Sequence, residues 1–492
     1  MIERGFPVRG KGGWLGTLLV VAMVFAARAQ TFGDPVLGFD EQYYLLVADR
    51  MLHGALPYVD IWDRKPIRLF LIYALAFVGG DPFVVYKVLA AGCVVATALV
   101  IRAGALRSAG PFGALVAALL YVVWLNFLEG EGGQAPVWYN LPVLLAALLV
   151  RRAHQGRAPI GPCGLAAMAL VGLALQIKYT VVFEGLFLGL VLLRAGYRAW
   201  GASARLAGWT LGWIALALAP TLAAWAYYLS IGEGRAFWFA NFASIFGRLP
   251  DPLGVRLAGL AVLVLVLLPL VVLAVLAGRR KGRLSFDQLW AMAAAAGVLA
   301  FGSWLSPNYV MPVVPPLLLS AAPWFGRSAR TRAAGVGLIA LAFVGGQVAV
   351  AKTIEGKGSA RQARAVAEAA RPRNGGCLWV WDGYPALYML TGSCLPTRWA
   401  FPGHLNTLDE ASPAAIGVDP QAEVRRILAS RPETIVDDYP AYHLGNRQTR
   451  ALVQAELARN YVLAVRVQTG SGRYRLVYRR RTEGGGVARP LP

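Results

Sequence analysis

Residues 39–66, FDEQYYLLVADRMLHGALPYVDIWDRKP, crowd acids, bases and aromatics between two strongly apolar segments. Asp40 and Glu41 follow directly on a hydrophobic stretch, which puts two carboxylates at a membrane surface, where a carboxylate suits the work of a general base. Farther on, Asp60, Asp63, Arg64 and Lys65 bring two acids and two cations together. The cations can grip a phosphate, lysine as a point charge and arginine as a fork. Pro66 then restarts a hydrophobic run. The plainer alternative is that these charges are interfacial anchors and solvated loop residues.

Working outward, the 492-residue chain is 57% hydrophobic and only 15% charged, with a mean hydropathy of +0.53. That balance is too apolar for an ordinary soluble protein and implies a polytopic α-helical membrane protein. The net charge of +22 comes mostly from arginines scattered in short loops between apolar runs. This is how a membrane protein sets its orientation, and no nucleic-acid module accompanies it.

The apolar run 14–29 follows Arg4, Arg9 and Lys11 and ends in Ala27-Arg28-Ala29, which has the look of a signal-peptidase site; an uncleaved signal-anchor is the preferred reading. Further candidate spans run over 82–103, 111–128, 137–150, 160–177, 180–194, 206–230, 253–277, 286–303, 309–324 and 333–351. The expectation is therefore about eleven transmembrane helices. Residues 68–79 are too short to cross and read as a juxtamembrane helix. With a cytoplasmic N-terminus, the loops holding Arg102 and Arg107, Arg151 to Arg157, Arg194 to Arg205, Arg279 to Arg283 and Arg327 to Arg332 all fall on the cytoplasmic side. The opposite loops carry Asp34, Asp40, Glu41, Glu129, Glu131, Glu233 and Asp251. The expected location is a bacterial inner membrane, with the C-terminal part periplasmic.

The stretch 39–66 resembles the polytopic glycosyltransferases of the GT-C superfamily that use polyprenyl-phosphate sugars, including aminoarabinose and protein mannosyl transferases. It is most similar to the bacterial branch named after rhizobial galacturonosyl transferases. The residues that carry the resemblance are Asp40-Glu41, Gly54, Leu56-Pro57-Tyr58-Val59-Asp60, Trp62-Asp63 and Lys65-Pro66. The resemblance implies a GT-C catalytic domain, Asp40 as the base, and Lys65 as a contact to the lipid-linked phosphate. Ile67 and Arg68 stand where the family commonly has a second proline and an apolar residue.

Other outer-side segments add candidates. In residues 128–134, LEGEGGQ, glycines surround Glu129 and Glu131, offering a second acid or a metal ligand on a backbone that can bend close to a ligand. The family's usual Asn-x-Glu before the next span is replaced by Ala135-Pro136-Val137-Trp138. Lys178 interrupts two apolar runs, and Tyr309 opens a Tyr-x-x-Pro segment. The resemblance gives both a part in holding the donor phosphate; snorkelling and ordinary interfacial tyrosine chemistry are the alternatives. A divalent cation is the open cofactor question, with Asp40, Glu129 and Glu131 as oxygen donors if folding unites them. Residues 232–252 mix five aromatics with Arg235 and Arg248 and read as an amphipathic interfacial segment.

Composition changes after Ala351, so the expected domains are a transmembrane catalytic domain over 1–351 and a soluble extracytoplasmic α/β domain over 352–492. The latter holds 20 Lys and Arg against 12 Asp and Glu. It shows no phosphate-cradling glycine loop. Cys377 and Cys394 lie in it and can close a short loop as a disulfide in an oxidising compartment.

These readings converge on an inverting transferase moving a sugar from a polyprenyl-phosphate donor to lipid A, lipopolysaccharide core, another glycan or a protein. Asp40 and Glu41 are the catalytic acids, with Lys65, Lys178, Tyr309 and, ranked lower, Arg64 at the phosphate. A lipid-linked-sugar flippase and a non-catalytic partner subunit of the same fold are the rivals. Internal hydropathy repeats or charges deep in several spans would mark a flippase.

Overall fold

A computed structural model describes residues 11–278, 283–373 and 375–481. Arg4, Arg9, Arg279, Arg280 and Lys281, counted above as cytoplasmic-side charge, lie outside the described residues. The chain divides into two compact units. One comprises Met1–Phe32, Tyr86–Ala224 and Gly254–Val350; the other comprises Gly33–Val85, Trp225–Leu253 and Ala351–Pro492.

The first unit is helical. Among the described residues, six helical segments, some of which run on into the second unit, are long and apolar enough to cross a membrane: Gly13–Thr31, Pro82–Phe127, Tyr179–Trp200, Ala204–Ser230, Leu253–Gly278 and Ala329–Ala370. Shorter apolar helices stand at Ile160–Leu175 and Phe286–Phe301. Pro82–Trp124 is two helices rather than one, because Gly110 takes φ 67°, ψ 176° and Pro111 follows. Glycine tolerates that left-handed φ, and proline cannot donate the bond that would continue the first helix. Large apolar side chains face outward, with Leu211 69%, Leu265 65% and Leu341 74% exposed. Such a surface fits a lipid surround rather than water.

Inside the unit, close approach replaces hydrophobic drive. A side-chain carbon at Gly172 would come within 2.6 Å of the Leu216 carbonyl, so glycine lets the Ile160–Leu175 and Ala204–Ser230 helices touch backbone to backbone. Pro136 stands in the first turn of Ala135–His154, where its missing N–H costs nothing. Arg151 pairs with Asp287 at 2.9 Å.

The second unit carries a four-stranded sheet: β1 Leu378–Val380, β2 Thr434–Tyr439, β3 Tyr461–Gly470 and β4 Arg473–Arg480, in the order β1-β2-β4-β3. β1 runs parallel to β2, and the other pairs are antiparallel. Gly472, at φ 67°, turns the β3–β4 hairpin. Helices Ala360–Ala370, Pro420–Ala429 and Arg447–Asn460 each begin on a capping side chain, from Ser359, Asp419 and Asn446. Cys377 and Cys394 are joined, with Cα atoms 5.2 Å apart.

The two earlier segments of this unit supply the helix Phe39–Leu52, the short helix Ile67–Ala74 and the aromatic segment of residues 234–247. Ile67–Ala74 buries Leu69, Phe70 and Tyr73 and exposes Leu71. The aromatic segment buries Phe237 and Ser244 while Trp238 and Phe246 stay exposed, a split that suits an interfacial element.

Candidate functional site

Gly38 caps the helix Phe39–Leu52, so Asp40 and Glu41 occupy its first turn, where the helix dipole favours negative charge. The two acids then part. Glu41 is 2% exposed and turned inward, while Asp40 is half-buried and accepts a bond at 3.3 Å from the Tyr44 hydroxyl one turn later. Above the Tyr44 ring stands the Lys65 ammonium, 5.4 Å from its centre. The Tyr44 side chain therefore touches the carboxylate through its hydroxyl and the lysine through its ring.

The loop that delivers Lys65 is held by tyrosines. Tyr43 donates to the Trp62 carbonyl at 2.8 Å and Tyr58 to the Lys65 carbonyl at 2.8 Å. Tyr58 adopts φ 71°, an uncommon conformation for a bulky residue, stabilised here by its N–H bond to Ile61 O at 2.7 Å. Between the acid and the lysine lies Asp63, 4% exposed and bonded to the Arg64 N–H at 2.6 Å. Burial pushes its carboxyl up from the usual range; Lys65 and the Arg64 N–H pull it down, and Asp40 adds to the rise. Asp63 thus feels both Asp40 and Lys65, which groups the three in one electrostatic neighbourhood.

Arg64, the fork among the candidates, is engaged within the protein. Its guanidinium meets the Glu410 carboxylate through both terminal nitrogens, at 2.8 Å for one pair, and also reaches Ala415 O at 2.7 Å and Ser244 Oγ at 3.3 Å. Its charge is matched inside the protein, and it ties together the three chain segments of this unit. His404 packs edge-on to Trp62 at 4.6 Å. Burial, then Arg64, Lys65 and Arg248, holds its imidazole well below its usual value and keeps it neutral.

In the other unit, the loop after Phe127 carries Glu129, whose φ of 56° is again left-handed. Asn308 donates to Glu129 Oε2 at 3.0 Å, and Lys178 donates to Asn308 Oδ1 at 3.3 Å. The Lys178 ammonium also sits 3.5 Å from the centre of the Tyr309 ring. Lys178, Asn308, Tyr309 and Glu129 therefore form one chain of contacts. Glu131 is buried, and its backbone belongs to a carbonyl clamp: Arg28 donates to Glu131 O at 2.9 Å and Gly132 O at 2.8 Å, and also to Gly130 O. Arg28, 2% exposed, fixes the shape of the acidic loop.

Among the described residues, no group of three or more His, Cys, Asp or Glu side chains could hold a metal ion. Sequence reasoning missed Tyr44, Asn308, Arg28, His404 and Glu410. Only Tyr44 had a local signal, its spacing of one helical turn from Asp40.

No family model matches the sequence, and no curated protein does. Solved structures do. ArnT from Cupriavidus metallidurans bound to undecaprenyl phosphate aligns over 97% of this chain and 100% of its own, at 14% identity and a TM-score of 0.64. The Archaeoglobus fulgidus oligosaccharyltransferase, tethered to an acceptor peptide, aligns over 88% of this chain and 69% of its own, at 13% identity and a TM-score of 0.53. At such identities the likeness speaks for architecture, and what it establishes is that this chain has the GT-C fold.

Proposed function

We propose that the protein is an inverting glycosyltransferase that moves a sugar from a polyprenyl-phosphate donor to an acceptor on the outer side of a bacterial inner membrane. The observation that carries this is the Tyr44 side chain, whose hydroxyl donates to Asp40 and whose ring lies 5.4 Å from the Lys65 ammonium. The reaction needs a base at the acceptor and a cation at the leaving group, and these residues supply one of each. Asp40 takes the proton of an acceptor hydroxyl as its oxygen attacks the anomeric carbon. The bond from that carbon to the phosphate oxygen breaks, its electron pair leaves with the polyprenyl phosphate, and Lys65 stabilises the developing charge. Tyr44 orients the Asp40 carboxylate. Glu41, turned inward, has a supporting place in the same helical turn.

Lys178 and Tyr309 are proposed as a further contact to the donor phosphate, and Glu129 as the acid that holds Asn308 against Lys178. The donor class is supported by the undecaprenyl phosphate bound to the similar Cupriavidus protein. About eleven spans, an N-terminus inside and residues 352–492 outside as an α/β domain complete the reading, supported by helices over each apolar run and by the alternation of charge. The test is incubation of purified protein with labelled polyprenyl-phosphate sugar and envelope acceptors. Labelled product from the wild type and none from Asp40→Asn supports the reading; no product from the wild type, or full activity in the variant, overturns it.

A further inference from the structure

The helix Arg447–Asn460 packs beside β2, β4 and β3 in the second unit and leaves a cavity of about 620 Å3 against them. Strand alternation decides what faces it. Asp437 lies opposite Leu476, and Tyr478 lies opposite both Ile435 and Leu463, so Asp437, Leu476, Tyr478 and Leu463 share one face of the sheet. The helix contributes Arg450, whose guanidinium reaches the Asp437 carboxylate at 3.4 Å and Asp382 at 3.0 Å. Arg481 closes one side, donating to the Tyr461 carbonyl at 3.3 Å.

Three features of this hollow select its ligand. Its volume lies within the range of small-molecule sites, roughly 300–1,000 Å3. Aromatic rings and leucines give it flat apolar walls. A carboxylate and a guanidinium side by side offer acceptors and donors together. An apolar guest would strip water from that pair without replacing its bonds, and a phosphorylated one would meet the Asp437 carboxylate. A sugar ring, with C–H faces for the rings and hydroxyls for the ion pair, satisfies every wall. None of the candidate catalytic residues lines the cavity.

We propose that this cavity binds a pyranose unit of a glycan, as a carbohydrate site separate from the Asp40–Lys65 group. Binding does not depend on the transferase reading and is tested without it. The full-length protein is placed in phospholipid nanodiscs, so that no sugar detergent competes, and saturation-transfer NMR is recorded with cellobiose, chitobiose and digalacturonic acid. At least one sugar receives saturation from the wild type and equally from Asp40→Asn. Gln454 and Ala458 are exposed residues on the cavity wall, so Gln454→Trp and Ala458→Trp fill it without removing a buried partner. Each weakens binding by about tenfold or more at unchanged melting temperature. Failure of all three sugars to bind the folded wild type, or binding undiminished in both filled variants, overturns the proposal. Which sugar binds distinguishes neutral from anionic glycans.

Discussion

Two regions of this molecule surround their positive charges with different groups. In the unit built on the sheet, arginines meet carboxylates: Arg64 with Glu410, Arg248 with Asp409, Arg450 with Asp437 and Arg473 with Asp438. In the helical unit, dipoles and a ring stand among the neighbours of two buried cations. Arg28 is caged by three backbone carbonyls, and Lys178 by the Asn308 amide and the Tyr309 ring. A carboxylate partner cancels a cation's charge, while carbonyls, amides and a ring add attraction without cancelling it. Lys65 stands between the two styles, with a ring beneath it and acids nearby.

The sharpest way to break this picture is Asp40→Asn, which should lower transfer by roughly 10²–10⁴-fold while the protein still extracts as a folded monodisperse species. Retained activity would remove the base from the scheme. Next in size, Glu410→Gln should strand the Arg64 charge and cost about 3–5 kcal/mol of stability, read by thermal unfolding, because removing one partner of a buried pair exposes the other to its full desolvation cost. A loss of activity at unchanged stability would instead argue that Arg64 works on the substrate. Removing Cys377 and Cys394 together should cost about 2–4 kcal/mol in the same assay, since the bond closes a loop of separation 17.

A smaller effect sharpens the contrast from the helical side. On the proposed phosphate contact, Lys178→Met should raise the donor KM about tenfold, measured by initial rates against donor concentration. Smallest is a pH effect at Asp382, pushed up to about 7 chiefly by burial and by Asp438 and Asp437, against Arg475 and Arg450. A raised carboxyl favours the protonated folded state. Its contribution is full below the unfolded value of about 4 and is lost as pH rises through about 7. Asp382→Asn should therefore flatten the dependence of melting temperature on pH over that window.

The helices were legible because apolar runs of membrane length leave few other structures open to a chain. The break at Gly110-Pro111 was visible for the same reason that it exists, as two residues that cannot continue a helix together. The Asp40–Lys65 stretch stood out because charges are conspicuous between apolar segments. What could not be read were partners that the fold brings from afar. Arg28 lies 103 residues from Glu131, and Lys178 lies 130 from Asn308, with no local pattern linking either pair. Arg28 also sits in a tripeptide that resembles a processing site, and only burial reveals it as the clamp of the acidic loop. Composition marks a change near residue 352, whereas compactness groups the later residues with Gly33–Val85 and Trp225–Leu253, because packing follows contact rather than polarity.

The bond from Arg64 to Glu410 spans 346 positions of chain. During synthesis the guanidinium emerges long before its carboxylate, at roughly 5–20 residues per second. For that interval the nascent loop around Lys65 has to wait with an uncompensated cation, so the ribosome's timetable, as much as the finished packing, decides when this region can first assume its working form.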